Sequence, residues 1–182
     1  MIVEGLAEDL PDRHGWSRIC DASWDDPLDP SFARVHGGRW NPPGSWPTLY
    51  LNEDVVTARL NLTAFIADWP YEPEDLDDDT GPHLAIARLP RNQRVADLHS
   101  PAALAAAGLS ASYPLERTGE QVTRDTCQVI GEQVHAAGLR GIRCRSAQAP
   151  HGAGREVVWF PATARSRAHL VVRKAYTEWF WG

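Results

Sequence analysis

Apolar residues along this chain recur at every second position in some stretches and every third or fourth in others, which predicts strands and helices in irregular alternation. In residues 16–21 (WSRICD) the period is two. Trp16, Arg18 and Cys20 share one face of a short strand, with Ser17 and Ile19 on the other. Residues 48–52 (TLYLN) form a second strand that runs directly into a helix over 53–69. Asn52 suits its N-cap, Glu53 and Asp54 sit at the positive end of its dipole, and Pro70 stops it. Val55, Ala58, Leu62, Phe65, Ile66 and Trp69 mark the face it should bury.

Further strands are expected over 83–89, 94–98, 141–145, 156–160 and 168–174. A short alanine-rich helix over 101–107 ends at Gly108. A long helix over 119–137, turning Val122, Val129, Ile130, Val134 and Ala137 inward, ends at Gly138. Residues 22–47 show little periodicity and hold five prolines and three glycines; long irregular segments of this kind tend to be functional. The order predicts one α+β domain over 1–182, a mixed or mostly antiparallel sheet with flanking helices.

Composition removes several classes. A chain of 182 residues supports one hydrophobic core rather than two. With 43% apolar and 23% charged residues it is neither disordered nor fibrous. No apolar run approaches the roughly 18 residues of a membrane span, and residues 1–16 are too acidic for a secretory signal. Cys20, Cys127 and Cys144 form neither a CxxC pair nor an even disulfide set, so a reducing cytoplasm is the expected setting.

The formal charge of −6 comes from one place: six acids crowd between Glu72 and Asp79, and the remaining acids and bases balance. A neutral body with one acidic loop lacks the basic face of a duplex-binding protein, so direct nucleic-acid contact is not expected. The loop reads as a solvated segment; it lacks the closing Glu of a calcium loop. Seven scattered histidines without ligand spacing predict no metal site.

Candidate chemistry gathers in a few segments. In HGGRWNPPG (residues 36–44) two glycines let the backbone turn closely and two prolines stiffen the exit, presenting Arg39 as a clamp for phosphate. The competing reading is a structural turn with Trp40 plugging the core. Arg18, on an otherwise apolar strand face, must snorkel, pair with an acid or bind something. Tyr50 serves either the core or a ligand's base and ribose. Asn61 borders the buried face of its helix, where an amide is mildly unfavourable and hints at a specific hydrogen bond. Ser146 follows a strand without the GxSxG elbow of a hydrolase nucleophile, and Glu156 opens the next strand toward the same cleft.

These residues resemble the RES family, small bacterial domains named for an Arg, a Glu and a Ser. The matching parts are WSRI, then GGRWNPPG followed by TLYLNEDVVTAR, then GLRGIRCRSA followed by EVVWF, spanning residues 16–161. The resemblance implies an ADP-ribosyltransferase-like fold and an NAD-consuming enzyme that cleaves the nicotinamide–ribose bond, with NAD as substrate and no prosthetic group. It implies the toxin of a toxin–antitoxin pair, whose partner is a helix-turn-helix (Xre-type) antitoxin. The Trp-rich tail (Trp179, Trp181) is a candidate contact, and a homo-oligomer is compatible with the sequence.

Carried over by position, Arg18 and Arg39 would hold the pyrophosphate. Trp40 and Tyr50 would pack against base or ribose, and Ser146 would bond near the scissile bond. The family Glu falls where this chain has Asn61. Glu156 then supplies the carboxylate, or the enzyme is slow, or the site binds without cutting. The acceptor (water, phosphate or a protein side chain, the last making an ADP-ribosyltransferase) is open.

Overall fold

A computed structural model describes residues 5–12 and 15–182. Among the described residues there are eight strands, seven at the expected stretches and β1 beyond them: β1 (Ala7–Asp9), β2 (Trp16–Cys20), β3 (Leu49–Asn52), β4 (His83–Arg88), β5 (Arg94–Leu98), β6 (Gly141–Arg145), β7 (Arg155–Trp159) and β8 (His169–Lys174). They form one sheet in the order β1-β5-β6-β7-β3-β2-β4-β8. Only β5 and β6 run parallel; the other pairs are antiparallel. Among the described residues five α-helices accompany it: α1 (Ser31–His36), α2 (Val55–Ile66), α3 (Pro101–Ala106), α4 (Arg124–Ala136) and α5 (Tyr176–Phe180). The result is a single α+β domain with a mixed sheet.

Strand periodicity divides the core between the two faces of the sheet. On one face Ile142, Cys144 and Val158 pack with Leu104 of α3 and Cys127, Ile130 and Val134 of α4. Further along this face, Leu84 and the neighbouring Ile19 and Ile86 pack with Ala58, Leu62 and Ile66 of α2 and Tyr176 and Trp179 of α5. The opposite face buries Trp16, Leu49, Leu51, Val157 and Trp159. Two helical groups therefore cover one face, and the sheet between them carries polar side chains.

The helix ends differ from the sequence reading for local reasons. Asp54 rather than Asn52 caps α2, accepting from the Thr57 N–H at 2.7 Å, because Asn52 is still in the β3 ladder opposite Glu156. Thr123 caps α4, since Leu115 and Gln121 pair as a β-bridge and hold the preceding residues out of the helix. Phe65 and Trp69, expected inward, are exposed, as is Val129. Helix α1 lies inside the segment read as irregular, and α5 inside the tail. Trp179 is buried and cannot meet a partner, whereas Trp181 is exposed.

Candidate active site

A cavity of about 650 Å³ opens between the two helical groups, within the roughly 300–1,000 Å³ usual for small-molecule sites. It lies where the sheet parts. β2 and β3 share one ladder pair, Ser17 opposite Asn52, and beyond it β2 pairs only with β4. Arg18 and Ile19 of β2 and Tyr50, Leu51 and Asn52 of β3 line the cavity at that parting.

The loop after α1 forms one wall and is held from two sides. The Tyr50 hydroxyl accepts the Trp40 N–H at 2.9 Å and donates to Asn41 Oδ1 at 2.8 Å. Gln128 Nε2 of α4 donates to the Gly38 carbonyl at 2.9 Å. Both glycine contacts are tight: a Cβ on Gly38 would collide with the Tyr50 ring and hydroxyl, and one on Gly131 with the Trp40 carbonyl. Loop, strand and helix thus fix the backbone from which Arg39 projects.

Arg39 donates to the Val122 carbonyl at 2.9 Å and to Gln121 Oε1 at 3.0 Å. Arg18 donates to the carbonyls of Pro27 at 2.8 Å and Asp29 at 3.1 Å, and its guanidinium lies 5.3 Å from the centre of the Trp24 ring. Among the described residues neither arginine forms an ion pair with a carboxylate. Burial lowers the Arg18 pKa, yet a guanidinium stays charged. The wall therefore offers two cations still able to take an anion. Val122, Thr123 and Arg124 bring the N-terminus of α4, its positive end, to the same cavity.

At the floor, Asn52 and Glu156 are cross-strand neighbours, and Asn61 of α2 reaches down to both. Asn61 Nδ2 donates to Glu156 Oε1 and to Asn52 Oδ1, each at 2.7 Å. Asn61 Oδ1 accepts the Ser146 hydroxyl at 2.7 Å. The Ser146 oxygen in turn accepts the N–H groups of Gln148 at 3.1 Å and Ala149 at 3.2 Å. This order fixes the amide: reversed, its oxygen would face the Glu156 carboxylate. Burial pushes the Glu156 pKa up, opposed by the hydrogen bond from Asn61 and by the charge of Arg39.

The model of the RES domain matches residues 15–181. The chain belongs to the RES domain family. A chain from the crystal structure of the M. tuberculosis MbcT–MbcA toxin–antitoxin complex superposes with a TM-score of 0.78, covering 100% of this chain and 96% of that one at 20% identity. At that identity the likeness establishes the fold. Comparison with curated proteins returned no match.

The RES domain brings Arg18, Arg39, Tyr50, Asn61 and Glu156 to one cavity, with Ser146 bonded beneath it. Trp40 and Tyr50 both border the cavity. Trp40 is 1% exposed and packs largely in the core near Tyr113, the plug reading of its loop. The Tyr50 hydroxyl is held by the loop on both sides and so positions that loop, while the residue itself lines the cavity. Asn52, Gln121, Arg124 and Gln148 complete the lining. No spacing marked them; only an order of strands that places β7 beside β3 could. Among the described residues no three metal-ligating side chains come together, and no helix is long and apolar enough to cross a membrane.

Proposed function

We propose that this RES domain cleaves the nicotinamide–ribose bond of NAD and acts as the toxin of a toxin–antitoxin pair. One observation carries the chemical part: two arginines with no ion pair to a described carboxylate, and one half-buried carboxylate, line the same cavity. The arginines suit the pyrophosphate, because a guanidinium fork holds two oxygens at once. When the C–N bond breaks, its electron pair leaves with nicotinamide and neutralises the ring nitrogen, while positive charge builds on the ribose.

In this reading Glu156 stabilises that charge. A carboxylate about 4 Å from it contributes about 4 kcal/mol at an effective dielectric of about 20. Asn61, itself held by Ser146, bonds the carboxylate. An acceptor oxygen then bonds the anomeric carbon and gives up its proton, which a carboxyl of raised pKa is suited to take. Water as acceptor yields ADP-ribose, and phosphate yields its phosphorylated counterpart. The antitoxin partner is proposed from the related fold, whose crystal structure is a toxin–antitoxin complex.

A second reading is binding without cleavage, favoured by the amide of Asn61 at the position of the family Glu. Incubating the purified protein with NAD, with and without phosphate, and following nicotinamide separates the two. Release supports cleavage, and saturable binding without release supports the second reading. Label transfer from NAD to an added protein would indicate ADP-ribosyl transfer.

A further inference from the structure

Outside the cavity, the largest anomaly is the outward face of α2. A helix that is apolar on several sides is normally buried on several sides. Here Ala58, Leu62 and Ile66 face the core, while Phe65 is 62% exposed and Trp69, just past the helix, is 38% exposed. Phe65 and Trp69 meet edge-on with centroids 5.2 Å apart, and Tyr71 extends the array at 5.3 Å from Trp69. Phe65 and Trp69 line a groove of about 460 Å³ together with Trp24, 39% exposed.

This groove is already ordered. Arg173 of β8 donates to the carbonyls of Asp21, Ala22 and Trp24 at 2.7–2.8 Å, fixing the wall, and Arg18 lies over the Trp24 ring. Its lining includes two acids, Asp21 and Asp79, and no Lys, Arg or His. The crowded acids from Glu72 to Asp79 follow immediately. Trp24 also borders a second hollow of about 580 Å³ with the exposed Phe32 and Val35 and with Asp25, Asp26 and Asp29; its one titratable base besides Arg18 is His36. Arg18 and Phe32 belong in turn to the cavity lining. Three hollows therefore run side by side, too extended for one small ligand.

We infer that the Trp24–Phe65–Trp69 groove docks an extended segment of a partner protein in which apolar side chains alternate with Lys or Arg. Aromatic faces flanked by carboxylates attract cations and bury aliphatic groups, whereas an acidic segment meets like charge. An exposed aromatic surface of this kind marks an interaction site more often than a solvated one. The groove's role is independent of what the cavity cuts, so NAD turnover does not bear on it.

The test is fluorescence anisotropy of the full chain with three labelled twelve-residue peptides: alternating Leu and Lys, Leu and Glu, and Ser and Lys. Only the Leu/Lys peptide should saturate. Phe65→Ser, Trp69→Ser and Asp79→Asn, all at exposed positions, should each weaken it about tenfold or more, a loss of about 1.4 kcal/mol. Equal binding of the Leu/Glu or Ser/Lys peptide, or no effect of the three substitutions, overturns the inference. So does a concentration-dependent mass of the protein alone that Trp69→Ser abolishes, which would make a second copy the occupant.

Discussion

Asn61 Nδ2 lies 2.7 Å from Glu156 Oε1, joining a helix and a strand 95 residues apart in sequence. The amide of Asn61, where the resemblance would put the family Glu, and the carboxylate on β7 are therefore two ends of one hydrogen bond. Moving the carboxyl from one end to the other shifts the negative charge by little more than the length of that bond.

Exchange of the two side chains follows from this. Glu156→Asn removes the carboxylate, and Asn61→Glu alone places two carboxyls in contact, which raises the pKa of one. The double variant restores one carboxylate with one amide partner. It should exceed the Glu156→Asn variant in nicotinamide release by about tenfold or more. Equal rates would show that the strand position alone serves.

Acidity should report on Glu156. Burial holds its pKa above the ordinary carboxylate range, so cleavage that needs the ionised form rises with pH through that raised value. Stability moves the other way. The unfolded chain ionises Glu156 at lower pH than the folded one, so this group's stabilising contribution is present below the unfolded pKa and lost as pH rises through the folded pKa. Melting temperatures from about pH 4 to about pH 8 should show Glu156→Gln gaining on the parent protein as pH rises. A constant difference would argue against the raised pKa.

The arginines should separate binding from folding. Because neither is ion-paired with a described carboxylate, Arg39→Lys strands no acid, and melting temperature should change little. Loss of the two-pronged contact should raise KM for NAD about tenfold or more, the scale of a charged hydrogen bond. An unchanged KM would remove Arg39 from the pyrophosphate site.

Tyr50→Phe should act through the loop. It leaves the Trp40 N–H and Asn41 Oδ1 without a partner, costing about 1–3 kcal/mol. Gly38→Ala inserts a methyl group against the Tyr50 ring and should cost a similar about 1–3 kcal/mol. Chemical denaturation measures both, and both should lower NAD cleavage through Arg39. A hydroxyl that instead bonded substrate would leave stability unchanged.

Much of this frame was legible in the chain. The period-two stretches at Trp16–Cys20, Leu49–Asn52 and Gly141–Arg145 are strands, because each buries residues on both sides of a covered sheet. β1 was not legible: three residues, two of them acidic, pair along β5 through backbone bonds that leave no apolar pattern. Helix α1 hides between Pro30 and Gly37, where composition suggests a turn. At the site, the glycines of the loop announced a close approach. Glu156 was expected in the same cleft, but its bond to Asn61 was not, since strand order rather than spacing brings it beneath the helix. Trp40 stayed open in the sequence because a tryptophan beside an arginine reads equally as plug or platform.

The most direct measurement is nicotinamide release from NAD by the parent protein and by Glu156→Gln, with circular dichroism showing both folded. The geometry predicts release by the parent and a fall of about a thousandfold in the variant, from about 4 kcal/mol of lost charge stabilisation. Release by both at one rate, or by neither, would contradict it.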